Sequence, residues 1–483
     1  PEGAVKEAKE RVRVSVRNSG FSFPQDRILI NLCPAGFKKG GASFDLPIAV
    51  SILHASGQIP PLPDEKIMLV GELQLSGRVR AVPGTLGAVA SGLKEQIHTF
   101  FVPKENLREA QSLHRGTIFG VASLTEACET IIQIRAGNSN AGNSSAETPS
   151  EPAGENEPEF EDFADVRGHA NLKRALCIAA AGRHHILMFG PPGSGKTMSA
   201  RRFPFILPDL SEDEAVEVTR IHSLASLLPE DSGLIMRPPF RAPHHGASEE
   251  GIIGGGKTIR PGEVSLAHKG VLFLDEAPEF KKPILQALRE PIEEGKIDIV
   301  RAGKSAFFPA DFQLILAANP CPCGNMGKDD GVCLCSQEEV LAYWKKLGGP
   351  LLDRIDIRIP VKPIQNEVML RGPGEEDTAT MRNRVERATE IQRRRYADMG
   401  FRWNAKLPAG EIRKYCTIDG ETERIFLEAV KKLSLSARAC HSVLKVARTI
   451  ADMEGEKNIT KYHLLEAVQH RRYGDGDFVW NAA

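Results

Sequence analysis

The middle of the chain is marked by four short apolar runs, each ending in a turn or a polar cluster: HILMFG (185–190), GVLFLDE (270–276), FQLILAANP (312–320) and RIDIRIPV (354–361). The first three are mostly apolar throughout, as in strands buried on both faces, while RIDIRIPV alternates polar with apolar. Helical stretches separate them, and that rhythm predicts a parallel sheet with helical crossovers over residues 161–362. Upstream, ILINLCP (28–34) and KIMLVGEL (66–73) read as strands and FDLPIAVSILHAS (44–56) as a helix, giving a separate α+β unit over 1–136. Residues 137–160 are rich in Gly, Ser, Asn, Pro and Glu without apolar periodicity, and read as a linker. From 363 to 483 the pattern becomes helical; in ITKYHLLEAVQH (459–470) Thr460 is placed as an N-cap ahead of an apolar face of Leu464, Leu465 and Val468.

Composition narrows the function. A chain of 483 residues is too long for one core. With a formal net charge of −1 it has no whole-protein basic field, so nucleic-acid binding must come from local basic loops. No apolar run approaches the roughly 18 residues of a membrane span. The chain begins at Pro1 rather than Met, so a preceding segment is expected. Of nine cysteines, Cys33, Cys128, Cys177, Cys416 and Cys440 lie scattered, mostly among apolar neighbours, and read as buried small hydrophobes. Free thiols beside a nucleotide motif point to the cytoplasm.

Gly190-Pro191-Pro192-Gly193-Ser194-Gly195-Lys196-Thr197 has the spacing of a phosphate-binding loop, between an apolar run and a helical stretch as that motif requires. Its glycines let backbone N–H groups turn toward phosphate. Lys196 supplies a cation for the β- and γ-phosphates of ATP, and Thr197 a hydroxyl for Mg²⁺. The run ending at Asp275 and Glu276 buries a strand that terminates in two acids, which is costly unless a cation sits there. Asp275 fits as the Mg²⁺ ligand through water and Glu276 as the base that activates the attacking water. Asn319 ends the next run and is suited to position that water; the alternative is a turn cap before Pro320. Arg354 is a candidate for the cation that stabilises transferring phosphoryl charge, and a local pair with Asp353 or Asp356 is its ordinary reading. In LSARACHSVLKVARTIADM, Arg438 is preferred over Arg448 as a second arginine, reaching the γ-phosphate of its own chain.

Cys321, Cys323, Cys333 and Cys335 fall within one short segment and suit a structural Zn²⁺; reduced thiols and disulfides stay open. Two basic loops are candidates for DNA contact. FRAPHHGASEEGIIGGGKTIRPGE carries His244, His245, Lys257 and Arg260, and EEGKIDIVRAGKSAFFPA, which reads as a hairpin, carries Lys296, Arg301 and Lys304. Phosphate contacts there would track a strand without reading its sequence, and ordinary solvated loops are the alternative.

These strings, with DFADVRGHANLKRALCIAAAG, RPGEVSLAHKGVLFLDEAPEF and AANPCPCG, resemble the ComM/YifB family of magnesium-chelatase-like AAA+ ATPases over nearly the whole chain. The resemblance implies an AAA+ P-loop core with a C-terminal helical lid, a homo-hexameric ring on single-stranded or branched DNA, and helicase or branch-migration activity in natural transformation alongside recombination proteins. It also implies that Arg354 serves a neighbouring subunit. Residues 1–136 resemble the Lon protease domain, with Ser43 near the nucleophile position. Where Lon carries its Lys, this chain reads Pro83, Gly84, Thr85, Leu86. A Ser without its base stays a weak nucleophile, so the domain reads as a retired protease. A chelatase-like motor that remodels a protein partner is the alternative function, and a Lon-like ATP-dependent protease a more distant one.

Overall fold

The computed structural model describes residues 3–30, 43–60, 66–113, 115–135, 160–228, 233–256, 259–301, 304–328, 331–363 and 376–471. The linker, Cys33, Lys257 and most of the ILINLCP run lie outside them. The chain divides into two units, one formed by Pro1–Asn156 with Glu212–Ile235, the other by Glu157–Ser211 with Met236–Ala483.

In the first unit β1 (Ile67–Leu69), β4 (Thr99–Pro103) and β5 (Thr117–Val121) form a parallel sheet in the order β1-β4-β5, beside a hairpin of β2 (Glu72–Leu73) and β3 (Val79–Arg80). The apolar face of helix Asp45–Ala55 puts Leu46 and Leu53 into a core with Val16, Phe101 and Phe119. Asp45 is buried at the start of that helix, where Arg11 pairs with it at 2.9 Å. Of the expected strand 28–34, Ile28–Ile30 are irregular and exposed. The carbonyl of Ser43 accepts from Gly71 N–H at 3.0 Å.

Helix Glu212–Leu224 lies in sequence inside the expected 161–362 core, yet packs in the N-terminal unit. The Ser223 hydroxyl donates to Glu109 Oε1 at 2.7 Å and accepts from Gly84 N–H at 2.9 Å. Glu109 also accepts from Leu86 N–H at 3.2 Å. A Cβ on Gly87 would stand 3.0 Å from Arg220 Nε, and one on Gly84 3.2 Å from Leu224, so two glycines allow the close approach. The turn where a Lon-type protease would carry its lysine is therefore occupied by hydrogen bonds to this helix.

In the second unit five strands run parallel in the order β14-β6-β13-β10-β7: β6 is Ile186–Phe189, β7 Phe240–Arg241, β10 Val271–Leu274, β13 Gln313–Ala318 and β14 Ile357–Pro360. β6, β10 and β13 are buried at every position, as their apolar runs require, and the one polar member, Gln313, donates to the carbonyls of Ala179 and His184. Helices Ala170–Gly182, Thr378–Arg395 and Ala437–Glu454 pack into one core with Met188, Phe273 and Ile315, while Leu187, Leu272 and Leu316 belong to a second core. A buried polar network ties the C-terminal helices to the sheet. His184 Nδ1 lies 2.9 Å from Asp356 and its Nε2 lies 2.8 Å from the Thr449 hydroxyl, while Ser442 donates to Asp356 at 2.5 Å. Burial alone would raise the Asp356 pKa, but these hydrogen bonds outweigh it and hold the carboxyl below its usual range. At the last helix, Thr460 N–H donates to His463 Nδ1 at 3.1 Å; Leu464 is buried, but Leu465 turns outward at 43% exposure. The apolar stripe on that helix is narrower than its sequence suggests.

Ser223→Ala leaves the buried Glu109 carboxylate short of a donor, which costs about 1–3 kcal/mol. The expected outcome is faster hydrogen exchange at Gly84–Leu86 and an earlier unfolding transition of the first unit. Unchanged exchange there would mean that helix Glu212–Leu224 is not held by this contact.

Candidate nucleotide site

Because β6, β13 and β10 are parallel neighbours, their C-terminal ends share one edge of the sheet. The phosphate loop leaves β6 there, Asn319 leaves β13 and Asp275-Glu276 leave β10. Gly193 and Gly195 adopt φ of +79° and +83°, the left-handed region that glycine enters without strain. A Cβ on Gly190 would overlap the carbonyl of Val361, so the entrance to the loop also requires glycine. Lys196 opens helix Lys196–Arg202, and its ammonium folds back onto Gly190 O at 2.7 Å and Pro191 O at 2.9 Å. Burial pushes it down to about 8, with Asp275 and Glu276 offsetting only part of that effect.

Thr197 donates to Asp275 Oδ2 at 2.7 Å, and Asp275 Oδ1 accepts from Glu276 N–H at 2.9 Å. A hydroxyl and a carboxylate thus meet where a hard divalent cation takes oxygen ligands. Glu276 has φ +50° and ψ +44°, a left-handed conformation that is strained in a residue with a side chain, and its carboxylate is exposed. His245 Nδ1 lies 3.7 Å from that carboxylate, with its ring centroid 4.0 Å from that of His244 at a tilt of 34°. This pair was expected on a DNA-contacting loop, and the structure places His245 beside Glu276.

The residues fit MgATP on two further observations. His169, with φ +56°, caps helix Ala170–Gly182, and its buried Nε2 has no hydrogen-bond partner among the described residues. A Cβ on Gly195 would stand 3.5 Å from that nitrogen, so it faces the phosphate loop. Beside Thr197, a cleft lined by Phe160, Asp165, Met198 and Arg201 has room for the nucleoside end. The sequence marks His245 only as part of a basic loop and does not mark His169 at all; nothing local to either points to the phosphate loop or to Glu276.

Arg354 precedes β14, whose register with β6 pairs Ile357 with Ile186 and Pro360 with Phe189. It therefore stands at the N-terminal edge, opposite the phosphate loop. Its Nη2 pairs with Glu293 Oε1 at 2.7 Å, and its Nε is buried without a partner among the described residues. The expected local alternatives do not hold: Asp353 pairs with Arg471 at 3.0 Å and Asp356 is taken by His184. Arg438 lies beside Arg354, with Nη1 on the same Glu293 oxygen at 2.6 Å. Reaching the γ-phosphate of its own chain, as the sequence reading expects, would require crossing the sheet. At roughly 3.3 Å per residue, the five positions from His185 to Gly190 span about 16 Å. Arg448, the alternative, is buried and committed to Asp452 at 3.0 Å and to the carbonyls of Glu456 and Lys457.

The two basic loops are hairpins. β8 (Gly254–Gly255) pairs with β9 (Arg260–Pro261), and β11 (Lys296–Arg301) with β12 (Lys304–Pro309). They meet where a Cβ on Gly254 would stand 2.9 Å from Ile299 Cδ1. Ile297, Ile299 and Phe308 face inward, whereas Val300 (75% exposed) and Phe307 (59%) face out. Arg260 is exposed, and Arg301 and Lys304 pair in register at the hairpin tip. Lys296 is engaged by Asp298 at 3.4 Å and Glu294 at 3.5 Å, so its charge is largely spent within the hairpin. The sulfurs of Cys321, Cys323, Cys333 and Cys335 all lie within 4.8 Å of one another. These cysteines are unbridged, and an N–H from Asn325 together with the Cys321 thiol draws Cys323 down to about 6.

Lys196→Ala should abolish nucleotide binding, and Glu276→Gln should keep binding while lowering turnover by about 10²-fold or more. Normal steady-state hydrolysis by Glu276→Gln would remove Glu276 as the base. The Lys196 ammonium adds a pH signature. Its pKa of about 8 in the free site must rise when phosphate binds, so binding near pH 8 takes up protons and affinity falls as pH rises above that value. Calorimetry at pH 8 in buffers of different ionisation enthalpy measures the uptake; none at pH 8 would contradict a neutralised free lysine.

Three family models match the chain: "Subunit ChlI of Mg-chelatase" over residues 1–106, "Magnesium chelatase, subunit ChlI" over 162–369 and "Magnesium chelatase, subunit ChlI C-terminal" over 375–471. The uncharacterized protein YifB of Salmonella typhimurium is 41% identical over 98% of this chain and 90% of its own length. Competence protein ComM of Haemophilus influenzae is 39% identical over 98% and 90%. The magnesium-chelatase 38 kDa subunit of Rhodobacter capsulatus is 28% identical over 36% of the chain and 53% of its own length. Membership implies ATP and Mg²⁺ as the working cofactors and ATP hydrolysis as the chemistry. The chain belongs to the magnesium-chelatase-like AAA+ ATPases of the ComM/YifB family.

Proposed function

We propose that this chain is an ATP-driven DNA motor, a helicase or branch-migration translocase of the cytoplasm that works as a hexameric ring. One observation carries the ring. Arg354 and Arg438 share Glu293 at the sheet edge opposite their own phosphate loop. Two arginines presented together, beyond reach of the bound phosphates, leave each copy with half a site. A neighbouring copy completes it.

Bound MgATP supplies the phosphoanhydride and the divalent ion. Lys196 and the loop N–H groups hold the phosphates, while Thr197 and Asp275 hold the ion. Glu276 takes the proton of the attacking water, Asn319 orients that water, and the neighbour's Arg354 and Arg438 offset developing charge. Both arginines thus act in trans, which replaces the expectation that Arg438 serves its own chain.

DNA as the substrate is supported by the adjoining hairpins. An exposed aromatic, Phe307, stands near a tip carrying Arg301 and Lys304, with Arg260 exposed on the companion loop. Base stacking beside phosphate contacts suits a single strand followed without sequence readout. The name of the Haemophilus relative, competence protein, fits DNA uptake and recombination. We read the N-terminal unit as a protease scaffold without its base and the four cysteines as a structural Zn²⁺ site, with about one Zn²⁺ per chain expected on elemental analysis. No described helix is long and apolar enough to cross a membrane.

Turnover per protomer should rise with protein concentration and increase further with single-stranded or branched DNA. Turnover that DNA leaves unchanged would favour a protein partner. Arg354→Ala should lower turnover by about 10³-fold or more. Mixed with Lys196→Ala it should recover activity, because in a mixed ring an intact loop can sit beside an intact arginine. If both variants assemble and exchange subunits, yet the mixture stays inactive at every ratio, the trans reading fails.

A further inference from the structure

We propose that the four-cysteine turn is a metal-held positioning element for ATP hydrolysis: a tetrathiolate ion fixes the turn that presents Asn319 and braces the phosphate loop at Pro192. The proposal rests on the zinc and ATPase readings above and assigns the metal a place in the catalytic cycle.

The sulfur geometry comes first. Tetrahedral zinc with Zn–S of about 2.3 Å sets sulfurs about 3.8 Å apart. Cys321 Sγ lies 3.4 Å from Cys323 Sγ and 3.6 Å from Cys333 Sγ, and Cys323 Sγ lies 3.7 Å from Cys333 Sγ. Disulfide sulfurs would be about 2.05 Å apart. Thiols are weak donors and weak acceptors, so four in mutual contact gain little from one another. A shared cation converts that crowding into coordination.

The position of the turn is the second observation, and it is independent of the sulfurs. Cys321 is fully buried, two residues after Asn319. Pro320, between them, accepts from Trp344 Nε1 at 3.1 Å through its carbonyl. Gly324 is buried with φ +76°, and a Cβ there would stand 2.9 Å from Pro192 Cγ and 4.0 Å from Asn319 Cγ. The turn is therefore seated against both the sensor asparagine and the phosphate loop.

The far end of the segment closes on the same place. Cys335 is followed by Ser336, which caps helix Gln337–Lys345 with its hydroxyl on Glu339 N–H at 3.2 Å. From that helix Trp344 returns to Pro320 and packs edge-on against Phe189, the last residue before the phosphate loop, at 5.6 Å. A metal joining Cys321 and Cys323 to Cys333 and Cys335 closes a loop whose two ends both bear on the catalytic edge. Without it, the segment regains conformational freedom next to the group that orients the lytic water.

The test uses the full-length protein with tryptophans 403 and 480 replaced by phenylalanine, so that Trp344 alone reports on the turn. Zinc is removed by a chelator or by the double change Cys323→Ser and Cys335→Ser, and metal content, ring size, nucleotide binding, DNA binding and single-turnover hydrolysis are measured. Metal loss should shift Trp344 emission and slow single-turnover hydrolysis by about tenfold or more, with nucleotide affinity nearly kept. Gly324→Ala should reproduce the slowing with zinc content intact, because the methyl group pushes on Pro192. If metal-free protein hydrolyses ATP at the normal rate with unchanged Trp344 emission, the positioning role is overturned while the zinc site stands. If protein purified without chelator holds no metal, the zinc reading fails and this inference with it. If metal loss weakens DNA binding and leaves DNA-free hydrolysis untouched, the turn is a DNA contact and the proposal is wrong.

Discussion

The parallel register of β6, β13 and β10 is the constraint on which the site depends. Ile315 stands opposite both Ile186 and Phe273, so all three strands end at nearly one level. Antiparallel pairing would send one of the three groups to the far edge. Parallel pairing in turn demands burial on both faces, because each crossover lays a helix against the sheet. That is why these strands are apolar at every position but Gln313, and why the first polar residues after them gather at one edge. It also explains how Glu276 tolerates a left-handed backbone, worth about 1–3 kcal/mol of strain: the buried strand before it and the Asp275 contact to its N–H fix it there.

The same polarity governs β14. Its register with β6 fixes Val361 beside the phosphate loop and Arg354 on the other side of the sheet. Charge then decides the local arrangement. Glu293 accepts from two guanidinium groups at once, which holds its carboxyl below the ordinary range. Asp353 adds a second, more distant acid, with its Oδ2 4.0 Å from Arg438 Nε. Arg471 and Ser436 hold Asp353, while His184 and Ser442 hold Asp356, leaving Glu293 as the close partner shared by both arginines.

Much of the catalytic edge was legible in the sequence because its groups are consecutive with the strands that position them. Lys196, Thr197, Asp275, Glu276 and Asn319 each follow an apolar run closely, and motif and element point to the same place. What was not legible depends on long-range choice. Glu290, Glu293 and Glu294 look alike along the chain, and only the packed helix selects Glu293 for the arginines. Helix Glu212–Leu224 lies between two motif segments and reads as part of the core. Its attachment to the first unit rests on Ser223, Glu109 and two glycines, none of which carries a sequence signature of partnership. The placement of Arg438 beside Arg354 was not legible for a related reason: position within a helix says nothing about which end of a sheet that helix abuts. Leu465 followed the helical period but sits where no neighbour among the described residues covers it.

The two edges differ in what holds them, and this bears on how ATP chemistry becomes movement. The edge carrying the arginines is fixed by buried hydrogen bonds that run from the sheet into the C-terminal helices through His184, Asp356, Ser442 and Thr449. A chain of satisfied buried polar groups resists shear, because moving any member leaves another unpaired. The catalytic edge is built from turns: the phosphate loop, the strained Glu276 and the cysteine segment that leans on Pro192. Changes on hydrolysis should therefore concentrate in these turns, with the sheet and C-terminal helices moving as a stiff body. In a ring, that body carries the arginines to the next nucleotide. A displacement at one copy's catalytic edge then reaches its neighbour's site through a sheet with few soft degrees of freedom, and the hairpins attached to the same body move with it.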